Sequence, residues 1–233
     1  IGVTGVQTCA LPISCGGAAL PESLMRRFAE AGAVIRAGFG MTETGPTGML
    51  MDADAALSRI GWVGKPQLMT EARLDGIPDG APGIGELLLR GPSVTPGYLD
   101  NAQATAQAFT AEGWLRSGDI AQRDAEGYYR IIDRLKDMYI SGGENVFPAE
   151  VEAAILAHPL VIEAAVIGVP DPRWGESGVA FLVAREGLDP TTLRPWLRER
   201  LASFKVPRAF HLVSDLPRTA TGKVRKSDLR TPL

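Results

Sequence analysis

The run GFGMTE, residues Gly38 to Glu43, decides how the rest of the chain is read. Two glycines flank a phenylalanine, and Thr42 and Glu43 then set a hydroxyl beside a carboxylate. Glycine permits tight bends and close backbone approach. A hydroxyl suits a phosphate oxygen and a carboxylate suits a hard cation. Taken alone, the run is equally a strand-ending turn, so its companions must decide its meaning.

Upstream, AVIRAGFG reads as a short buried strand running into this loop. Before it, residues 20–31 (LPESLMRRFAEA) predict a helix with Pro21 at its first position and Leu20, Leu24 and Phe28 on one stripe. The first residues differ in kind. VTGVQTCALPI, Val3 to Ile13, lacks the basic start and apolar length of a signal peptide. It matches the in-frame translation of a common sequencing-library adapter. Residues 1–14 are therefore expected to be non-native and to pack poorly, with the true upstream part of the protein missing.

Downstream, residues 59–134 are rich in glycine and proline and carry short β-like runs such as GELLLRG and GYYRIID. The DAEG turn, Asp124 to Gly127, predicts a hairpin within a β-rich subdomain. Past Arg134 helix and strand alternate. Pro148 opens a helix with Val151, Ala154 and Ile155 on one face, and IEAAVIGVP, GVAFLVA and AFHLV read as strands. TTLRPWLRERLASF places Leu193, Trp196, Leu197 and Leu201 on one helical stripe. A domain boundary is expected near Asp133–Lys136.

Composition narrows the function classes. The 233 residues are 45% hydrophobic and 22% charged, with a formal net charge of −3, as in an ordinary soluble globular protein. That balance argues against a general nucleic-acid or membrane-surface binder. No apolar run reaches the length of about 18 residues that a membrane span needs. Cys9, Cys15, His158 and His211 support neither a disulfide framework nor a zinc site, which makes a cytoplasmic setting the expectation.

Other stretches carry candidate chemistry. WLRSGD ends in Asp119, a carboxylate able to accept both hydroxyl hydrogens of a ribose, although a turn-forming aspartate looks the same. DRLKDMYISGGENVFPAEVE joins a charged hinge-like run to a flexible SGG and a helix start. PRTATGK presents Lys223 after a bend, where a solvated surface lysine is the bland alternative.

In this order, these stretches resemble the adenylate-forming superfamily of acyl-CoA synthetases, nonribosomal adenylation domains and luciferases, over about residues 15–230. The resemblance implies an α/β and α+β architecture. Residues 15–133 would be the end of the large α/β AMP-binding domain with its β-rich subdomain, and residues 134–233 a small α+β carboxyl-terminal lid. It implies a two-step reaction. A carboxylic acid attacks the α-phosphate of ATP to give an acyl-adenylate and pyrophosphate, and the thiol of coenzyme A then takes the acyl group.

The resemblance also assigns roles. Gly16, Gly17 and Ala18 match a small-residue run that lets backbone approach the nucleotide. Phe39 stands for a tyrosine that packs on adenine, followed by Gly40. Thr42 would donate to a phosphate oxygen and Glu43 would hold Mg2+. Asp119 and Arg134 would hold the ribose of ATP or AMP. Lys136 matches the hinge about which the lid rotates between half-reactions, and Lys223 the lysine that reaches the carboxylate and α-phosphate. Gly142 and Gly143 would line the pantetheine tunnel, with Trp174 beside it. Phe204 and Lys205 are weaker candidates for the CoA nucleotide, since Val206 stands where a relative can carry arginine.

SGGENVFPAEVE lies closest to medium-chain, long-chain or aryl acyl-CoA synthetases. The family's upstream phosphate loop has no match in these residues, so the chain is expected to be a carboxyl-terminal fragment, inactive alone. Two rivals stay open: an enzyme that loads a carrier-protein thiol, and a non-catalytic short form that binds nucleotide or CoA.

Overall fold

A computed structural model describes residues 13–17, 20, 22–220 and 222–230. The chain divides into two compact units between Ile131 and Ile132. Ala18, Pro21 and residues 1–12 lie outside the described residues, and with them most of the segment read as adapter-derived.

The first unit begins with β1 (Ile13–Cys15), which pairs parallel with β2 (Ile35–Met41). Ile13 and Ser14, expected to be unpacked, are thus part of a strand pair, although both side chains remain exposed. Between them runs helix α1 (Glu22–Glu30), with Glu22 in its first turn and Arg27 in its last, which suits the helix dipole. The anticipated stripe is not the buried one. Met25 is buried, about 100° around the helix from Leu24, while Phe28 remains 41% exposed.

Strands β3 (Gly45–Leu50) and β4 (Lys65–Pro66) extend this sheet in the order β1-β2-β3-β4. A second sheet has the order β5-β6-β7-β8, from β5 (Glu71–Leu74), β6 (Gly83–Arg90), β7 (Leu115–Arg123) and β8 (Tyr129–Arg134). Leu87, Leu88 and Leu89 are all fully buried, so β6 is covered on both faces. The expected hairpin joins β7 to β8. Asp124 Oδ1 accepts from the amides of Glu126 and Tyr128, and Gly127 supplies the positive φ. Helix α2 (Ala102–Ala108) is capped by Asn101, whose Oδ1 accepts from Ala104 N.

The second unit is built on five strands: β9 (Tyr139–Ser141), β10 (Glu144–Val146), β11 (Val161–Asp171), β12 (Gly175–Ala184) and β13 (Ala209–Leu212). Their order is β10-β9-β12-β11, with β13 pairing parallel to β12. Side chains alternate across this sheet, as a strand dictates. Val166, Ala180 and Leu182 meet Val151 and Ile155 of α3 (Pro148–Leu156) and Leu193 and Leu197 of α4 (Leu193–Arg198). Ile167, Val179 and Phe181 face the other way, onto Leu216 and Leu229. Both anticipated helical stripes of this unit are therefore core-facing, with Trp196 and Leu201 partly buried against the same cluster. The architecture is mixed α/β, and among the described residues no helix is long and apolar enough to cross a membrane.

Candidate functional site

In the first unit the β1–β2 pairing sets Cys15 opposite Ala37, which carries Gly16 and Gly17 alongside Gly38. The approach is close: a Cβ at Gly16 would stand 3.1 Å from the carbonyl oxygen of Gly38. At Gly40 a Cβ would lie 2.4 Å from the carbonyl oxygen of Pro46, so this position is glycine because β3 folds back over it. The turn between β2 and β3 is a single 3-10 turn, Thr42–Thr44. Its hydroxyls divide the work. Thr44 is buried and its Oγ1 accepts from Met41 N at 3.2 Å, which holds the turn. Thr42 is exposed, with no partner for its hydroxyl among the described residues. Phe39 is partly buried against Met49, Leu87, Leu89 and Ala121, so one part of its ring is committed to the core.

Glu43 is half-buried and held at both ends. Its carbonyl accepts from Thr95 N at 2.7 Å, and its Oε1 accepts the phenolic hydrogen of Tyr98 at 2.8 Å. Accepting that hydrogen, the carboxylate pushes the Tyr98 hydroxyl above its ordinary value. The second oxygen of Glu43 has no partner among the described residues. Asp119 sits inside β7 rather than in a loop, at a register shift between Glu86 and Leu88 of β6. It is buried, its amide donates to Ser117 Oγ at 3.0 Å, and Gly118 takes a φ of +70° beside it.

In the second unit Arg134, Leu135 and Lys136 are exposed in a turn closed by Asp137 N and Met138 N donating to Arg134 O. Asp133 is buried ahead of it, and its carboxylate accepts from Arg134 N and Ala149 N, each at 2.7 Å. Burial pushes this carboxyl up despite those two donors. Gly142 and Trp174 meet directly: Gly142 N donates to Trp174 O at 2.9 Å, and a Cβ on Gly142 would be 3.1 Å from the indole. Gly142 and Gly143 both have positive φ, which glycine alone adopts without strain. The loop that presents Trp174 is organised by Asp171. Its Oδ1 accepts from the amides of Arg173 and Trp174, and its Oδ2 from Ser177 Oγ and Arg208.

Lys223 stands in a tight hairpin. Thr219 N donates to Lys223 O at 2.8 Å, Lys223 N donates to Thr219 Oγ1 at 3.2 Å, and Arg218 bridges to Val224. Three residues on, Lys226 pairs with Glu152 of α3 at 2.7 Å, each side chain less than one-fifth exposed. Lys205 is engaged by both carboxylate oxygens of Glu150, at 2.8 and 2.7 Å.

The structure thus gathers Gly16, Gly17, Phe39, Gly40, Thr42 and Glu43 in the first unit, and Gly142, Gly143 and Trp174 in the second. Arg134, Lys136 and Lys223 belong to the second unit as well. Sequence reasoning passed over Tyr98, Thr44, Asp171 and the Glu152–Lys226 pair. Only Tyr98 left a trace, as an aromatic after the turn-forming TPG.

Among the described residues no group of three or more His, Cys, Asp and Glu side chains gathers to hold a metal. One half-buried carboxylate with an uncommitted oxygen fits Mg2+, which keeps waters and takes phosphate oxygens to complete its shell.

Comparison with known proteins finds two family matches along the chain. The family described as AMP-binding enzyme matches residues 4–99, a span that begins inside the run read as adapter-derived, and the AMP-binding enzyme C-terminal domain matches residues 150–223. A feruloyl-CoA synthase from an Amycolatopsis species is 44% identical over 222 residues, covering 93% of this chain and 45% of that protein. A 2-succinylbenzoate–CoA ligase from Listeria innocua is 43% identical, covering 82% of this chain and 39% of that protein. The solved O-succinylbenzoate coenzyme A synthetase from Bacillus subtilis, in complex with ATP and magnesium ion, superimposes with a TM-score of 0.87 at 34% identity, covering 94% of this chain and 46% of that one. The chain spans less than half the length of these relatives.

Proposed function

The chain belongs to the AMP-binding enzyme family, and on that premise we propose that it forms the carboxyl-terminal part of an acyl-CoA synthetase. Such an enzyme joins a carboxylic acid to ATP, releases pyrophosphate, and passes the acyl group from the adenylate to CoA. The observation that carries the proposal is the Thr42–Glu43 turn, with an exposed hydroxyl beside a carboxylate that keeps an uncommitted oxygen.

Thr42 donates to a phosphate oxygen, and Glu43 would hold Mg2+, which when bound neutralises phosphate charge. Gly16 and Gly17 let backbone approach the nucleotide, and Gly40 lets β3 close over the turn that presents Thr42 and Glu43. Phe39 offers adenine a ring face, and Asp119 offers its carboxylate to the ribose hydroxyls, with Arg134 a further candidate for the ribose. Lys223 stabilises negative charge gathering at the α-phosphate, and loss of one such group typically costs about 10²–10³ in rate. Gly142, Gly143 and Trp174 line the passage for the thiol arm, and Lys136 is the hinge. The acid is a fatty or aryl one, and the feruloyl and succinylbenzoate relatives support the aryl choice. A cytoplasmic setting completes the reading, consistent with the free thiol of Cys15.

The test uses the longer enzyme that carries this chain together with its upstream half. Lys223→Ala is expected to abolish ATP–pyrophosphate exchange while sparing thioester formation from a supplied acyl-adenylate. Equal loss of both half-reactions would remove Lys223 from its role. The 233-residue chain itself is expected to show no exchange with any acid, because positioning and charge stabilisation are both incomplete.

A further inference from the structure

We propose that Tyr98 is a positioning residue for Glu43: its phenolic O–H fixes the carboxylate so that one defined oxygen meets the divalent cation. The proposal rests on the reading of Glu43 as the cation ligand. The contact spans 55 residues of sequence, with Tyr98 Oη 2.8 Å from Glu43 Oε1.

Both ends of the contact are built rather than incidental. On one side, Thr95 N donates to Glu43 O at 2.7 Å, which ties the loop carrying Tyr98 to the turn carrying Glu43. On the other, Tyr98 N donates to Thr105 Oγ1 at 2.9 Å, and that hydroxyl donates to Asn101 O at 2.9 Å. Thr95 Oγ1 donates to Gly97 O at 3.0 Å within the same loop. Gly97 has a φ of +155°, and a Cβ there would stand 2.6 Å from Thr105 Cγ2. The loop therefore lies tightly over α2, and its path delivers the phenol to one place.

The chemical consequence follows from what a lone carboxylate does. A glutamate side chain rotates about its last bond, and a cation that relies on a single carboxylate inherits that freedom. A hydrogen bond to one oxygen fixes the plane of the group and leaves the other oxygen to the cation. Outer partners of metal ligands of this kind typically contribute about 10- to 100-fold in metal affinity.

The experiment uses the 233-residue chain with Mn2+ as the cation probe. Free Mn2+ is followed by electron paramagnetic resonance in the presence of ATP, and ATP binding is also measured without metal. Tyr98→Phe keeps the ring and removes only the donor. It is expected to weaken Mn2+ binding about 10-fold while leaving metal-free ATP binding and the melting curve unchanged. Glu43→Gln is expected to remove the Mn2+ site, and adding Tyr98→Phe to it to change nothing further. The proposal is overturned if Tyr98→Phe binds Mn2+ as the parent does. It is equally overturned if the substitution weakens metal-free ATP binding or acts as strongly in the Glu43→Gln background, which would mark a loop-packing role. If the parent binds Mn2+ no better than Glu43→Gln, the reading of Glu43 itself falls, and that result is visible without reference to Tyr98.

Discussion

Glu152 in the second unit accepts Lys226 Nζ and Val166 N at 2.7 Å each on one oxygen, whereas Glu43 in the first accepts a single phenol at 2.8 Å. Glu152 is nearly buried, so burial pushes its carboxyl up while Lys226 pulls it back in part. Asp133, also buried, bears on both members of the pair. A carboxylate satisfied from within its own unit in this way ties the Lys223 hairpin to α3. Glu43 accepts only a neutral phenol and has no cationic partner among the described residues, so its charge remains available to a cation. On the proposed reading of Glu43 as the cation ligand, that difference separates a structural charge from a functional one.

The sharpest way to break this contrast is Lys226→Met. It would leave two buried carboxylates without their cation, and breaking a pair of this kind typically costs about 3–5 kcal/mol. Urea unfolding of the 233-residue chain reads the loss, and a change under about 1 kcal/mol would class the pair with surface bridges. The pH dependence has a defined sign. Carboxyls whose folded values lie above the unfolded ones bind more protons folded than unfolded, so the variant's stability is expected to fall as pH rises through the acid range. Glu43→Gln is the matching control, expected to move stability by no more than about 0.5 kcal/mol.

Next in size is a pair of glycines, which tests whether the first unit makes its site from space rather than charge. Gly40→Ala forces a Cβ to within 2.4 Å of Pro46 O, so β2 and β3 must separate. Overpacking of that kind costs typically about 1–3 kcal/mol. At Gly17 the φ is +86° with nothing within 4 Å of a new Cβ. Gly17→Ala is expected to cost about 1 kcal/mol, from the left-handed backbone alone. Equal melting shifts for the two would mean the close approach at Gly40 is not what fixes the turn.

Much of this was legible before any coordinates. Val166 and Ile167, or Leu182 and Phe181, take opposite faces because strand alternation leaves no other choice. The DAEG hairpin follows from turn chemistry, and Gly38, Thr42 and Glu43 stood in one short run. What stayed hidden were contacts between distant residues. Tyr98 and Glu43 are 55 positions apart, and nothing local marks either as the other's partner. Lys226 looks like any lysine near a chain end until Glu152 is found beside it. The stripe on α1 failed for a related reason: periodicity proposes an apolar face, but packing through Met25 selects the one that is buried.

The smallest effect concerns a third use of a carboxylate, and it carries the opposite pH sign. Asp171 shapes the loop that presents Trp174, and the amides of Arg173 and Trp174 hold its carboxyl below the ordinary range. A depressed folded value means that its contribution is whole above the unfolded value of about 3.9 and is lost as pH falls through the depressed one. Asp171→Asn is therefore expected to lower protection of the Gly142 amide, which donates to Trp174 O, at neutral pH. Because acid removes from the parent the charge that the variant lacks throughout, the two should converge as pH falls through the depressed folded value. Hydrogen exchange at Gly142 read against pH checks this directly. A gap between parent and variant that stays constant down to acid would show that shape, not charge, holds the loop. Asp171 would then stand with the glycines of the first unit rather than with Glu152.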